Sequence, residues 1–310
     1  MINTTLVIDE IEKVIKGKRD IIQKVFMAMC ASGHILLEDN PGSGKTTLAK
    51  AFSRVLGLDY KRIQLTPDTM PSDITGYCYY NREQNRLEYM AGAVQTNLLL
   101  GDEINRTSAK TQSAFLEAME EGTVTLDGNT MKLPDPFVVI ATQNPITSLG
   151  TQPLPDSQCD RFMIRLSMGY PDISSEVSIL QDIRISDNVS QLNQVMGKDE
   201  LIYLRNCIDG IFCNEIVLDY ICRLCDESRK NGKLELGIST RGALAIKRMA
   251  CSVAMFNNRN YVVPEDIKSI FIDVCHHRVI VSPQSKMEGE NADQILQEIL
   301  NKIKAPKLEL

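Results

Sequence analysis

The sequence of 310 residues lacks the features that mark several specialised classes of protein. No stretch approaches the ~20 uninterrupted apolar residues that a membrane-spanning helix requires. Basic residues are not in excess: 34 lysines and arginines against 40 acids give a net charge of −6, so a dominant basic face for nucleic acid is not expected. The N-terminus, MINTTLVIDEIEKVIKGK, has acids within its apolar pattern and no signal-peptide layout. These absences predict a cytoplasmic protein with no membrane span.

Metal-binding patterns are scarce as well. The nine cysteines include one C-x-x-C pair, Cys222 and Cys225, but no second matched pair of the kind that zinc ribbons use. The apolar residues around this pair repeat at helical spacing, whereas zinc-binding pairs sit on tight turns. The three histidines have no ligand spacing to one another. We therefore interpret the cysteines as packing residues.

What the sequence does contain is an alternation of strand and helix patterns up to about residue 168. Short apolar runs predict strands, and amphipathic segments between them predict helices. This alternation is typical of a doubly wound, mostly parallel α/β sheet. The predicted strands are HILLE, KRIQL, NLLLGDE, PFVVIATQN and RFMIRL, and the predicted helices include KTTLAKAFSRVLG and SAKTQSAFLEAMEEG.

Beyond Pro171, which marks a plausible linker, helical periodicity continues without convincing strand pairs. The sequence therefore predicts an α/β core over residues 1–172 and a helical domain over residues 173–310. One further hairpin is predicted within the core, because Asp127-Gly128 in TVTLDGNTMKL is a strong two-residue turn signal.

The stretch LLEDNPGSGKTTLAK resembles a nucleotide phosphate loop between a strand and a helix. In such a loop backbone N–H groups and the helix N-terminus bind the phosphates, the lysine reaches the β and γ oxygens, and the hydroxyl after it ligates Mg²⁺. The alternative is a Gly/Pro-rich turn that happens to end in Lys-Thr. The predicted nucleotide-binding residues are Asn40, Pro41, Gly42, Ser43, Gly44, Lys45, Thr46 and Thr47.

One position departs from the phosphate-loop pattern. The pattern requires glycine six residues before Lys45, and this sequence has Asp39 there. That glycine serves backbone geometry, and aspartate is among the few other residues that tolerate positive φ. We expect Asp39 to be a tolerated substitution at the strand exit, with a charge that weakens nucleotide binding if it faces the phosphates.

Polar side chains end two of the other buried strands. Asp102 and Glu103 follow the apolar run NLLL, and Asn144 ends VVIATQ. Ligands of open α/β sheets bind at the carboxyl ends of strands. Asp102 can hold the magnesium shell, Glu103 can orient and deprotonate a water, and the Asn144 amide can bond the γ-phosphate or that water. Taken singly, the Asp-Glu pair would more often be a helix cap and Asn144 a turn before Pro145.

Two arginines outside the loop are candidates for stabilising charge on a transferred phosphoryl group. Arg161 precedes the strand RFMIRL, and Arg241 follows the cap candidates Ser239 and Thr240 at a predicted helix N-terminus. A surface salt bridge is the ordinary alternative for either arginine.

Together these segments resemble the MoxR-type AAA+ ATPases over nearly the whole chain. The resemblance is carried by HILLEDNPGSGKT, RIQLTPDTMPSDITG, GDEINRTSAKTQSAFLEAMEEGTVTLDG, LPDPFVVIATQNPITSLGTQPLPDSQCDRFMIRLSMGYP and GISTRGALAIKRM. It implies a P-loop NTPase core of the AAA+ type, extra β-hairpins inserted near 76–90 and 122–134, and an all-helical lid.

The resemblance also implies roles for matching positions. Lys45 and Thr46 would bind phosphate and Mg²⁺, Asp102 would be the metal-shell acid that holds Mg²⁺ through water, and Glu103 would be the catalytic base. Asn144 would be the first sensor, Arg161 the finger that acts on a neighbouring subunit, and Arg241 the second sensor. Val14, Ile15 and Gly17 match the segment that usually lines the adenine, and Lys18 stands where many members have glutamine.

The function that the resemblance implies is ATP hydrolysis at the subunit interfaces of a homo-oligomeric ring, expected to be a hexamer. The cycle would remodel or activate a client protein, such as one with a von Willebrand factor A domain. Two alternatives remain open at this point: an ATP-gated assembly module with little hydrolysis, and a chelatase-like or DNA-linked AAA+ motor. The net negative charge disfavours the DNA-linked motor.

Overall fold

The computed structural model describes residues 4–39, 42–144, 154–170, 173–181 and 188–307. Contacts between backbone positions divide the chain into two compact units. The first comprises residues 1–25, 34–161 and 166–202, and the second comprises residues 26–33, 162–165 and 203–310. The predicted domain boundary between residues 172 and 173 stays a prediction.

Helices and strands follow one another along the chain in the order that the periodicity predicts for the first half. From the N-terminus to residue 143 the elements are α1 (Thr4–Glu12), α2 (Arg19–Cys30), β1 (Ile35–Glu38), α3 (Lys45–Val55), β2 (Tyr60–Gln64), α4 (Pro71–Thr75), β3 (Gly76–Asn81), β4 (Arg86–Ala91), β5 (Leu98–Asp102), α5 (Ala109–Glu121), β6 (Thr123–Leu126), β7 (Asn129–Lys132) and β8 (Val138–Gln143). The later ones are α6 (Asp156–Cys159), β9 (Ile164–Leu166), α7 (Ile173–Gln181), α8 (Lys198–Asp209), α9 (Glu215–Lys230), β10 (Leu234–Leu236), α10 (Thr240–Phe256), α11 (Pro264–Cys275), β11 (Ile280–Val281), α12 (Pro283–Met287) and α13 (Ala292–Lys302).

The central sheet has the strand order β2-β5-β8-β1-β9, and β2, β5, β8 and β1 pair in parallel. This confirms the predicted parallel sheet. Strands β5 and β8 are buried along their whole length, which is why their sequences are almost continuously apolar. Strand β2 forms one edge and is only partly buried.

The register of this sheet places the ends of four strands at one edge. Gln64 of β2 pairs with Asp102 of β5, Gly101 of β5 with Ala141 of β8, and Leu37 of β1 with Thr142 of β8. Residues just beyond these pairs therefore leave the sheet side by side. The chain carries the phosphate loop, the Asp-Glu pair and Asn144 at this edge.

Helix α5 shows how local sequence and packing agree. Ser108 caps its N-terminus by accepting a hydrogen bond from the Thr111 N–H at 3.3 Å, and Gly122 ends it in the left-handed conformation. The α5 side chain Phe115 packs so closely on β5 that a Cβ at Gly101 would lie 2.7 Å from its ring. The glycine inside the buried strand NLLLGDE is therefore required by this contact.

Two antiparallel hairpins extend from the sheet domain. Strands β3 and β4 pair from Gly76 with Ala91 to Asn81 with Arg86, and β6 and β7 pair around the turn at Asp127 and Gly128. Both turn residues have positive φ, as a tight two-residue hairpin requires. The two inserted hairpins expected from the family resemblance are thus present.

The second unit is built mainly from helices α8 to α13, which confirms the predicted helical lid. One correction applies to the expectation that this region is all-helical: β10 and β11 form a short antiparallel pair. Strands of two and three residues carry no readable alternation, and their partners are distant in sequence. The C-x-x-C segment lies on α9, where Cys225 is buried but Cys222 is exposed, so the packing interpretation is wrong for Cys222.

No helix within the described ranges is long and apolar enough to cross a membrane. Within the same ranges, no group of three or more histidine, cysteine, aspartate or glutamate side chains is arranged to hold a metal ion.

Candidate nucleotide-binding site

The phosphate loop leads directly into the N-terminus of α3. Gly42 and Gly44 both have φ of +88°, and Gly44 is the residue that precedes the first helical turn. Only glycine adopts this conformation without strain, so these two positions fix the turn that aims the α3 N-terminus outward. The first N–H groups of a helix have no partner within it, and together with the helix dipole they favour an anion.

Lys45 lies in this first turn and its side chain is held back towards the loop. Its Nζ donates to the Asp39 carbonyl at 2.9 Å and to the Ser43 hydroxyl at 3.2 Å. Burial lowers the pKa of Lys45, and the nearby carboxylates of Asp39, Asp102 and Glu103 oppose this shift. A phosphate group would supply the anionic partner that such a partly desolvated ammonium group favours.

A pocket of about 340 Å³ opens beside the loop. The loop forms one side of it, and the ends of β2, β5 and β8 form the other. Its lining comprises Gly42, Ser43, Gly44, Lys45, Thr46, Thr47, Arg62, Gln64, Asp102, Glu103, Thr142 and Asn144. Six of the eight predicted loop residues therefore share one pocket with the predicted acids and Asn144. The other two, Asn40 and Pro41, lie outside the described residues.

Asp102 ends β5 and is almost fully buried, with 6% of its surface exposed. Its Oδ1 accepts a hydrogen bond from the Thr142 hydroxyl at 2.9 Å, and its Oδ2 accepts one from the Arg62 Nε at 2.7 Å. The oxygen donors Thr46 and Asp102 line the same pocket, and Mg²⁺ prefers oxygen ligands. These two side chains therefore fit the magnesium site that the sequence predicts.

Glu103 follows β5 in the left-handed conformation, with φ of +57°. A non-glycine residue pays roughly 1 kcal/mol or more for this conformation. Three donors hold its carboxylate: Gln64 at 2.8 Å, Arg106 at 2.7 Å and Asn144 at 2.9 Å. The strained backbone and the three bonds fix the position of this carboxylate in the lining of the pocket.

Asn144 joins the Asp-Glu pair to the end of β8. Its side-chain amide donates to Glu103, and its carbonyl accepts from the buried Asn105 amide at 3.0 Å. The Glu103 N–H also donates to the Thr142 hydroxyl at 3.0 Å. Two neighbouring strand ends are thus tied together, as parallel pairing of β5 and β8 allows.

The expectation for Asp39 is wrong in its geometric part. Asp39 is not among the described residues with positive φ, which include Gly42 and Gly44 in this loop. Its carboxylate instead accepts hydrogen bonds from the Ser167 hydroxyl at 2.9 Å, the Met168 N–H and the Gly169 N–H at 3.2 Å. The aspartate is therefore a structural acceptor for the segment after β9.

The residues expected to line the adenine lie in the turn between α1 and α2. Ile15 is buried, Val14 is half-buried, and Gly17 has φ of +67°. The adjacent Lys18 donates from Nζ to the Tyr170 carbonyl at 2.6 Å. Since Asp39 holds residues 167–169 of the same segment, this segment bridges the predicted adenine-binding turn and the phosphate loop.

The two arginines predicted outside the loop lie in different units. In the first unit, Arg161 forms an ion pair with Glu120 of α5 at 3.2 Å. In the second unit, Arg241 is exposed in the first turn of α10, which Ser239 caps by accepting from the Gly242 N–H at 3.0 Å. Their roles towards a phosphoryl group stay predictions.

Sequence reasoning missed four side chains of this network. Arg62 and Gln64 alternate on the edge strand β2, Thr142 lies inside β8, and Arg106 follows the Asp-Glu pair. The alternation of Arg62 and Gln64 in KRIQL shows that they share one face of a strand. Only the strand order places that strand next to β5.

Comparisons with known proteins identify the family of the chain. Residues 34–164 match the family model described as "ATPase family associated with various cellular activities (AAA)", and residues 226–299 match the AAA lid domain. The chain is 34% identical over 308 residues to the chaperone MoxR1 of Mycobacterium tuberculosis, covering 96% of this chain and 81% of that protein. The chain belongs to the MoxR-type AAA+ ATPases.

Other relatives of this MoxR-type ATPase extend over almost the whole chain. The Bacillus subtilis protein YeaC is 43% identical over 299 residues, which cover 96% of this chain and 93% of YeaC. A crystal structure of a protein from Cytophaga hutchinsonii superposes with a TM-score of 0.91 at 38% identity, covering 98% of this chain and 95% of the other. These matches confirm the predicted AAA+ core and lid.

Proposed function

We propose that this MoxR-type ATPase binds ATP with Mg²⁺ in the pocket beside α3 and hydrolyses it to ADP and phosphate. The observation that supports this most is the shared pocket of Lys45, Thr46, Asp102, Glu103 and Asn144. These residues come from α3, β5 and β8 and the turns that follow, and parallel pairing puts them at one edge of the sheet.

Each residue has a distinct part in the proposed reaction. The α3 N-terminus and Lys45 bind the phosphates. Thr46, and Asp102 through water, would hold Mg²⁺, which supplies neutralisation of phosphate charge when bound. Glu103 accepts a proton from the attacking water, whose oxygen bonds to the γ-phosphorus while the bond to the bridging oxygen of ADP breaks. Asn144 orients the Glu103 carboxylate.

We further propose that the active form is a homo-oligomeric ring, a hexamer, in the cytoplasm. Arg161 would act as a finger on the nucleotide of the neighbouring subunit, and Arg241 as the second sensor. Val14, Ile15 and Gly17 would line the adenine. The cycle would remodel or activate a client protein, for which a protein with a von Willebrand factor A domain is the first candidate; one relative's name, chaperone MoxR1, supports such a role.

The experiment that tests the chemistry is ATP turnover by wild type, Glu103→Gln and Lys45→Ala. We expect Glu103→Gln to lose most activity while still binding ATP, and Lys45→Ala to lose ATP binding. Glu117→Gln, an exposed acid on α5, is the matched control and should keep wild-type turnover. Equal turnover by wild type and Glu103→Gln would refute the role of Glu103 as base. Tight ATP binding by Lys45→Ala would refute the phosphate-loop assignment.

A second candidate function is an ATP-gated assembly module that hydrolyses ATP very slowly. It is favoured by the three hydrogen bonds that hold the Glu103 carboxylate, because they occupy the oxygens that would have to bind the attacking water. Light scattering on a sizing column measures assembly with and without ATP. If the wild type assembles with ATP but turns ATP over as slowly as Glu103→Gln does, this alternative is selected.

The ring and the client need separate tests. The Glu103→Gln variant with ATP should form a closed ring of six subunits by light scattering, and a different number would correct the proposal. The same variant should retain a client with a von Willebrand factor A domain in an ATP-dependent pull-down, whereas Lys45→Ala should not.

A further inference from the structure

Arg62 is a cationic residue of the pocket that belongs to no recognised nucleotide-binding motif. It lies on the edge strand β2 and shares a face of that strand with Gln64. Its Nε and Nη2 both lie 2.7 Å from the same atom, Oδ2 of Asp102. Arg62 thus forms an ion pair with the carboxylate that is proposed to hold magnesium.

Asp102 needs such a partner when no nucleotide is bound. Its carboxylate is almost fully buried, and an unpaired buried charge is strongly unfavourable. The Thr142 hydroxyl satisfies Oδ1, which leaves Oδ2 for Arg62. The Arg62 Nε donates a charge-assisted hydrogen bond to this oxygen, and the Nη2, which donates to the Gln64 side-chain oxygen at 3.3 Å, completes the ion pair with Asp102.

The two partners differ sharply in their freedom to move. Asp102 ends a central, fully buried strand, whereas 47% of the Arg62 side chain is exposed on an edge strand. Arg62 can therefore turn its guanidinium group towards solvent by side-chain rotation alone. Mg²⁺ and the guanidinium group would compete for one carboxylate, because two cations near it repel each other.

We infer that Arg62 is the resident counter-ion of Asp102 in the nucleotide-free site, and that Mg²⁺ must displace it when nucleotide binds. Arg62 is in this sense a positioning residue: it holds the carboxylate in place, and it sets the magnesium concentration that the site requires. This inference rests on the proposed function, since it assumes that Asp102 serves the magnesium site.

The test measures magnesium dependence of nucleotide binding, with no hydrolysis involved. A fluorescent ADP analogue is bound at a fixed concentration while Mg²⁺ is titrated, for wild type and Arg62→Gln. We expect the half-saturating Mg²⁺ concentration to fall about fivefold in Arg62→Gln, because magnesium no longer competes. Fivefold corresponds to about 1 kcal/mol at about 1.4 kcal/mol per factor of ten, the scale of a partly exposed charge pair.

Two further variants make the result specific. Arg62→Lys keeps the charge but loses the contact of two guanidinium nitrogens with Asp102, so it should lower the half-saturating Mg²⁺ concentration by a smaller factor. This variant also provides a readout if Arg62→Gln does not fold. Arg86→Gln removes an equally charged side chain that pairs with Glu88 on the β3–β4 hairpin, outside the pocket. It should leave the magnesium titration at the wild-type value.

The outcomes separate this inference from the proposed function. If wild type binds the ADP analogue but Arg62→Gln and Arg62→Lys require as much Mg²⁺ or more, the inference is overturned and the nucleotide site stands. Wild-type binding that is insensitive to Mg²⁺ also overturns the inference alone. If wild type binds no ADP analogue at all, both the inference and the proposed function are overturned.

Discussion

Replacing Asp39 by alanine removes the acceptor that fastens residues 167–169 to the exit of β1. Its carboxylate accepts hydrogen bonds from the Ser167 hydroxyl and from the Met168 and Gly169 N–H groups. The bond from the Lys45 Nζ goes to the Asp39 backbone carbonyl and is not removed by this change. The substitution therefore tests the anchored segment more than it tests the loop.

The size of the effect follows from what each donor loses. A hydrogen bond to a charged group contributes about 1.5–3 kcal/mol, and a buried donor left without an acceptor costs about 1–3 kcal/mol. Ser167 is exposed, so its hydroxyl can bond to water instead, whereas Met168 is only 3% exposed. Counting mainly the two backbone donors, we expect Asp39→Ala to lower the free energy of unfolding by about 3 kcal/mol. For a domain of this size that is roughly 6 to 12 °C in the melting temperature.

The assay is thermal and urea unfolding of the nucleotide-free protein, with a double-mutant cycle. Ser167→Ala should cost less than Asp39→Ala, and the double variant should cost less than the sum, because both changes remove one shared bond. Asp39→Asn, which keeps one acceptor oxygen, should fall between wild type and Asp39→Ala. Asp68→Ala, at an exposed acid, is the control and should change stability little.

One result would refute this reasoning outright. If Asp39→Ala unfolds within about 0.5 kcal/mol of wild type, the range of ordinary surface substitutions, the carboxylate does not anchor the segment. If the losses in free energy of unfolding from Asp39→Ala and Ser167→Ala simply add in the double variant, only the bond between these two side chains is contradicted.

Three further predictions follow from other contacts. Burial lowers the pKa of His277 well below its usual range, and its Nε2 donates to the Phe162 carbonyl. As pH falls, the unfolded chain therefore binds a proton at His277 before the folded chain does. The free energy of unfolding should fall as pH drops below about 6.5, by up to about 1.4 kcal/mol per pH unit. Melting curves of His277→Gln, which keeps an amide donor, should show a weaker fall, and an unchanged slope would contradict this. Gly101→Ala should cost about 1–3 kcal/mol in urea unfolding, because its Cβ would meet the buried Phe115 ring; no loss would show that the ring can shift. Burial also lowers the pKa of Lys45, and bound phosphate would raise it, so ADP binding should take up a proton and weaken as pH rises through the lowered pKa of Lys45. Calorimetry of the wild type in two buffers of different ionisation enthalpy measures this uptake, and binding without proton uptake would contradict the prediction.

Much of the site was predictable because its signals are local. The two glycines, Lys45 and Thr46 stand at fixed spacing between an apolar strand and an amphipathic helix, and Asp102 and Glu103 directly follow a buried strand. Parallel strands place their carboxyl ends at one edge, so a shared site follows once the sheet is inferred. The pocket contains these residues together.

The partners of these residues were not predictable in the same way. Arg62 and Gln64 meet Asp102 and Glu103 only because β2 lies next to β5 in the sheet. No periodicity in KRIQL distinguishes an exposed edge face from one that lines a pocket. The same holds for Arg106, whose contact depends on the strained turn at Glu103.

Asp39 shows most clearly what could not be predicted from the sequence. The sequence by itself determined the strands of the central sheet, most of the helices, their order along the chain and the phosphate loop, because hydrophobic period, glycine conformation and turn chemistry act between near neighbours. Only the tertiary structure decided what the carboxylate of Asp39 does, since its three donors lie about 130 residues further along the chain. Contacts at such distances depend on how the strands are ordered in the sheet, and that order is a property of the packed core.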